Sequence, residues 1–280
     1  MHDPRSASPR LLAVSRGTAK PYGMRHKIAS HIRGFIYWLL TKGPVGTFVG
    51  TIVRRRPFDR LGPVAVPNAS GPGATSAIVF GLYEYPERVL IERWLPRDCD
   101  CVELGCSIGV ISRIILRKLA HPRRLVAVEA SRSLLKLAEK NVASAGFSTR
   151  FTPIYGAVHY GGDTVVFTEH EEHIRGKVAE AGLSAGAITP CVTLAQIIRT
   201  SALGSYSLVM DIEGSEFGLI TNDLDSLREC ETIIVELHGD EASRANFTEK
   251  LRSCGFTLAE AKHSVCAYVR SAQGHNQAKA

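Results

Sequence analysis

The sequence predicts an α/β protein: a mostly parallel sheet with helices on both faces and one antiparallel strand near the C-terminus. Three observations carry this expectation. From Cys99 onward, short apolar runs alternate with runs of helical spacing, the pattern of strands covered on both sides by crossover helices. The last two strands, "FTLAE" and "SVCAYVR", are only about three residues apart. No helical crossover fits in that gap, so this pair runs antiparallel. Finally, 45% apolar and 22% charged residues over 280 positions are ordinary for a globular chain able to bury a substantial core.

In chain order, residues 1–25 read as disordered. Residues 26–56 read as one or two short helices ending in Arg54-Arg55-Arg56, and Arg60 to Ser76 as a Gly/Pro-rich linker. These form an N-terminal extension over 1–76, followed by the main domain over 77–272 and a flexible tail over 273–280. "YEYPERVLIERWLP" presents Val89, Leu90, Trp94 and Leu95 as a helical apolar face. "CVEL" is the first strand, with a helix from Gly109 to Leu119. "RLVAVEA" is the second strand; Ser131 then caps a helix that Gly146 closes. "FTPIYGAV" is the third strand. Residues 161–190 are irregular apart from a short strand at "TVVF". "TLAQIIRT" is a short helix, "YSLVMDI" the fourth strand and "TIIVELH" the fifth. The last helix starts at its cap Asp240 and stops before Gly255.

The net charge of +7 is concentrated before residue 60, in Arg5, Arg10, Arg16, Lys20, Arg25, Lys27, Arg33, Lys42 and the arginine triplet. A basic flank of this kind meets an anionic surface or is simply solvated. Basic repeats interleaved with aromatics are absent, so nucleic acid is not an expected partner. The apolar stretch Gly34 to Val53 is interrupted by Lys42-Gly43-Pro44; rather than spanning a membrane it is expected first to cap the main domain, and next to form a peripheral or dimer-forming helix, with peripheral membrane contact through residues 26–56 as the partner it would offer. Seven scattered cysteines imply a reducing, cytoplasmic setting without a disulfide framework.

The chemistry concentrates at strand ends. "VELGCSIG" places Glu103 two residues ahead of a turn through Gly105, Cys106, Ser107 and Gly109. A dinucleotide fingerprint needs glycine where Ser107 and Val110 stand. An acid before the turn opposes a pyrophosphate and suits a cationic ligand such as S-adenosyl-L-methionine. Glu129, followed by Ala130, ends the second strand, where a carboxylate accepts both ribose hydroxyls. "LVMDIEGSEFGLI" sets Asp211, Glu213 and Glu216 at the fourth strand's tip, where crowding raises carboxylate pKa values unless a cation or proton-bearing group sits among them. His238 ends the fifth strand beside Glu236, as a general base or as a polar anchor for a loop; His159 is a weaker candidate. "HEEH" at 170–173 lacks zinc-helix spacing, and no metal is expected.

Taken in order, "VELGCSIGVIS", "VAVEAS", "VTLAQII", "LVMDIEGSEFGLI" and "IIVELHG" resemble FkbM-type S-adenosylmethionine-dependent methyltransferases over roughly residues 80–270. The most specific parts are Asp211-x-Glu213-Gly214-x-Glu216 and the pair Thr193-Leu194. The resemblance implies a Rossmann-like class I methyltransferase sheet. It also implies S-adenosyl-L-methionine held by Glu103, Gly105, Cys106, Ser107, Gly109, Glu129 and Ala130. The implied reaction is O-methylation of a sugar, glycolipid or natural product, with Asp211, Glu213 and His238 as catalytic residues. Two positions depart from the family: Val209 stands in place of a lysine and Ala195 in place of an aspartate. These departures keep a non-catalytic scaffold in view as an alternative; the glycine spacing makes an NAD-dependent oxidoreductase the weaker one.

Overall fold

A computed structural model describes residues 35–53, 57–67, 70–169, 176–178 and 186–271. The expectations for residues 1–25, the arginine triplet, "HEEH" and the tail fall outside the described residues.

The central sheet has seven strands. β1 (Asp100–Leu104) lies between β2 (Leu125–Glu129) and β8 (Tyr206–Met210), with β3 (Phe151–Tyr155) beyond β2 and β9 (Cys230–Glu236) beyond β8. These five strands pair in parallel. β11 (Val265–Arg270) runs antiparallel to β9 and to the edge strand β10 (Phe256–Lys262). The one reversed strand is thus β11, as the short C-terminal turn requires.

Alternation along the strands sorts the core into two layers. Val102, Leu104, Leu208 and Met210 face α6 (Leu194–Thr200), α7 (Glu216–Asn222) and α8 (Glu241–Ser253), where Phe247 and Leu251 close the packing. Cys101, Ala127, Val209 and Ile234 face α3 (Tyr85–Trp94), α4 (Val110–Lys118) and α5 (Arg132–Ser144). Local caps agree with the sequence. Ser131 accepts from the Leu134 N–H, Asp240 from the Ser243 N–H, and Thr193 forms a capping box with Gln196.

Four expectations need correction. The buried stripe of α3 is Glu87, Leu90 and Ile91 with Leu95 beyond its end, and Val89 is only half-buried. The third strand breaks at Gly156: β4 (Ala157–Val158) leaves the main sheet and pairs with β7 (Ala187–Val192). The described parts of 161–190 hold more strand than the one expected at "TVVF". β5 (Thr164–Glu169) pairs with β7 and with β6 (Gly176–Val178), making a side sheet of order β4-β7-β5-β6. The stretch read as a linker is stapled to the domain. Fully buried Arg113 pairs with Asp59 and donates to the Gly62 and Pro63 carbonyls, Asn141 bonds both polar backbone atoms of Ala65, and α2 (Pro72–Val79) begins inside it. All seven cysteines are free thiols. Among the described residues, no helix is long and apolar enough to cross a membrane.

Candidate active site

Sheet register decides which acids meet. Val209 of β8 is level with Glu103 of β1, which is level with Ala127 of β2; Val209 is also level with Ile234 of β9. Two residues further along, Gly105, Glu129, Asp211 and Glu236 share the next level on the same face, the one covered by α3–α5. Their carboxyl ends open into one cleft. Glu103, Gly105, Cys106, Ser107, Glu129, Ala130, Asp211 and Glu213 all line it, so the two anchoring acids share a pocket with the strand-four acids. Apolar walls come from Val110, Ile111, Leu134 and Phe167.

The turn after β1 is built tightly. Gly105 adopts φ +86°, and a Cβ there would lie 2.1 Å from the Asp211 carbonyl oxygen, so the turn presses directly on the tip of β8. Gly109 differs from its expected role. It does not line the cleft; a Cβ would sit 2.8 Å from the Ala138 Cα, so this glycine lets α4 and α5 close together. Glu129 spans the loops: one carboxylate oxygen accepts from the Ser107 N–H and the other from the Ser131 N–H, each at 2.8 Å. Those bonds tie the glycine turn to β2 at the wall of the cleft.

Glu103 is deeply buried and accepts from the Ser112 hydroxyl. Burial pushes its pKa up to about 8, opposed by the Ser112 bond and reinforced by Glu129. Val209 stands beside it on the same face, so this position supplies no cation to Glu103.

At the tip of β8, Asp211 is raised to about 7, first by burial, then by Glu236 and Glu84, with His238 opposing. The crowding expected from Glu213 is therefore secondary. Asp211 Oδ1 is buried with no hydrogen-bond partner. His238 Nδ1–H donates to Glu216 Oε1 at 3.0 Å, while its Nε2 lies 3.5 Å from Glu213 Oε2 and 3.7 Å from Asp211 Oδ1. The Glu216 bond is the main reason the imidazole pKa is raised; burial opposes it. Glu216 is fully buried and also accepts from the Ile212 N–H. Neither His238 nor Glu216 lines the cleft; they stand behind Asp211 and Glu213. His238 is thus anchored by a carboxylate, not by the loop carbonyl considered from sequence. His159 is not among the cleft-lining residues. Donor atoms of Asp211, Glu216 and His238 lie within 4.8 Å of one another, as do those of Glu84, Asp211 and Glu236.

Sequence reasoning missed the opposite wall. Tyr83, Glu84 and Glu87 line the cleft from α3 and its approach. Glu87 is buried on the apolar stripe of α3 and its pKa is raised, by burial first and then by Asp211. An acid at position 87 of a stripe continuing through Leu90, Ile91 and Trp94 was a readable signal. Backbone strain marks the same place. Of the five non-glycine residues with left-handed φ among the described residues, three line the cleft: Glu84 (+44°), Ser107 (+48°) and Glu213 (+50°). Such residues cost about 1–3 kcal/mol each and cluster where a ligand is held.

An open sheet with an acid-lined cleft at its carboxyl tips defines a doubly wound α/β protein that binds a small ligand at its switch point. The chain belongs to the FkbM methyltransferase family: the model of the methyltransferase FkbM domain matches residues 108–258. A search of curated proteins found no match. Solved structures with similar folds include the ribosomal protein L11 methylase from Lactobacillus delbrueckii subsp. bulgaricus. It is 15% identical, with TM-score 0.44, covering 67% of this chain and 78% of that one. An O-methyltransferase from Bacillus cereus in complex with SAH is 12% identical, with TM-score 0.40, over 66% and 79%. The O-methyltransferase TomG from Streptomyces achromogenes is 14% identical, with TM-score 0.40, over 66% and 78%.

Proposed function

We propose that this methyltransferase uses S-adenosyl-L-methionine to methylate a hydroxyl of a sugar, glycolipid or natural product. One observation carries the reading: Glu103, Glu129 and Asp211, on three neighbouring strands, line a single cleft around a glycine turn. The residues suit the cofactor. Among the described residues, buried Glu103 has no cationic partner and Asp211 has an orphaned oxygen, and Glu129 at the cleft wall suits vicinal hydroxyls. When bound, S-adenosyl-L-methionine supplies a methyl group on a sulfonium. Glu103 neutralises a positive charge, Glu129 with Ser107 and Ala130 holds the sugar end, and Val110, Ile111, Leu134 and Phe167 exclude water. Asp211, poised at about 7, is a base matched to neutral pH. It takes the proton of the acceptor hydroxyl, assisted by Glu213. His238, behind them, positions both carboxylates and holds down the Asp211 pKa.

The test is binding of labelled S-adenosyl-L-methionine and of NADH to the purified chain. The reading requires S-adenosyl-L-methionine to bind; binding of NADH alone would overturn it. A scaffold role is separated by turnover, for which mass spectrometry of glycans and lipids from cells with and without the chain looks for one lost methyl.

A further inference from the structure

The N-terminal hairpin has its bulky side outward. Residues 35–41 are helical, and α1 (Pro44–Val53) follows after a two-residue turn. The inner seam of the hairpin is small. A Cβ on Gly46 would lie 2.6 Å from the Thr41 carbonyl carbon, and one on Gly50 would lie 1.9 Å from the Pro72 carbonyl oxygen of α2. The Ser76 hydroxyl of α2 also bonds the Leu40 carbonyl, fixing the hairpin to the domain. This docking leaves Val45, Phe48 and Ile52, spaced i, i+3, i+7, on the outer face, with Phe48 68% and Ile52 66% exposed. Phe35, Ile36, Tyr37 and Trp38 of the first helix are exposed as well. A helix that buries glycine and exposes phenylalanine and isoleucine is ordered for an apolar environment outside the protein.

Charge identifies the environment. Residues 1–56 carry eleven of the 34 Arg and Lys and a single acid, Asp3, of the 27. The remaining residues hold 23 basic and 26 acidic groups and are net negative. Lys42 lies exposed in the hairpin turn, and the arginine triplet follows α1 directly in sequence. Two copies meeting through this face would bring like charges together, whereas an anionic bilayer supplies both apolar depth and opposite charge.

We propose that this hairpin inserts side-on into the interface of an anionic membrane, with Phe48 and Ile52 among the acyl chains and Lys42 at the headgroups. Over the described residues neither helix is long enough to span. The hairpin packs on α2, which leads in sequence through Phe80 to the cleft residues Tyr83 and Glu84. The proposal does not rest on the methyl-transfer reading, because vesicle binding is measured without turnover.

The experiment is co-sedimentation of the full chain with phosphatidylcholine vesicles and with vesicles containing a third phosphatidylglycerol, at 0.1 M and 1 M NaCl. Binding is expected only to the anionic vesicles, weakening at high salt. F48S/I52S should bind at least tenfold more weakly, with unchanged circular dichroism and unchanged ligand binding in the cleft. Trp38 fluorescence, isolated by Trp94→Phe, should shift to the blue on binding and be quenched by iodide without vesicles. Equal binding of F48S/I52S and wild type would overturn the proposal. So would a Trp38 shielded before vesicles are added, or a dimer that F48S/I52S converts to monomer, since the chain itself or a second copy would then cover the face.

Discussion

The two acidic strand tips of the cleft look alike in sequence and behave differently in the fold. At the β1–β2 tip, Glu129 accepts from two loop N–H groups, while Glu103 is sunk against Ser112. At the β8–β9 tip, Asp211 keeps an orphaned oxygen among Glu84, Glu236, Glu213 and His238. The N–H bonds to Glu129 fix the shape of the first tip, whereas the orphaned Asp211 oxygen leaves an open acceptor at the second. In the proposed reading the first tip is a cradle and the second a reactive edge.

The largest effect that would break this division comes from Asp211→Asn. Removing the base while keeping its shape should lower kcat by about 10²- to 10⁴-fold, and equilibrium dialysis should show ligand affinity changed by less than about threefold. A variant that loses affinity and keeps kcat would place the reactive edge elsewhere.

Glu129→Gln should do the reverse. Its amide must turn an N–H toward either the Ser107 or the Ser131 donor, breaking one charge-assisted bond worth about 1.5–3 kcal/mol. The dissociation constant for S-adenosyl-L-methionine should rise by about 10- to 100-fold, while kcat at saturation stays within a few-fold.

His238→Gln sharpens the second tip. His238 lowers the Asp211 pKa, so its loss should move the acid limb of kcat/KM, expected near 7 in the wild type, toward higher pH. Activity at pH 7 should fall several-fold and recover at pH 9. A purely structural role would lower activity equally at both pH values.

The sequence made much of the first tip legible and less of the second. Apolar strands ending in acids, a glycine turn and helix caps are local signals, and the period of two places Glu103, Glu129 and Asp211 on one face once the register is known. The register itself was not readable, and neither was the division of labour between Gly105 and Gly109. That division depends on Asp211 and Ala138 pressing from distant segments. The α3 wall escaped because Glu84 and Glu87 lie before the first strand and reach the site only when α3 packs over it. The break of the third strand at Gly156 similarly depends on β7, which arrives some thirty residues later. Asp211 was expected to be crowded by its sequence neighbours, yet Glu236 and Glu84 matter more.

The smallest effect tests the cradle through stability. The pKa of Glu103 is raised from an ordinary carboxylate value to about 8 in the fold, so the native state binds its proton more tightly than the unfolded chain does. Stability without ligand should therefore fall as pH rises between about 4.5 and 8, then level off. Glu103→Gln cannot titrate. It should match the wild type below pH 4.5 and exceed it at pH 8.5 by a few degrees in Tm, while binding S-adenosyl-L-methionine more weakly. Because a cation beside Glu103 favours its ionised form, ligand binding at pH 7 should also release a proton. Calorimetry in buffers of different ionisation enthalpy would detect that proton for the wild type and find it diminished for Glu103→Gln. A variant that gains stability and loses no affinity would mean that Glu103 serves packing alone, leaving Glu129 as the acid that holds the ligand at this tip.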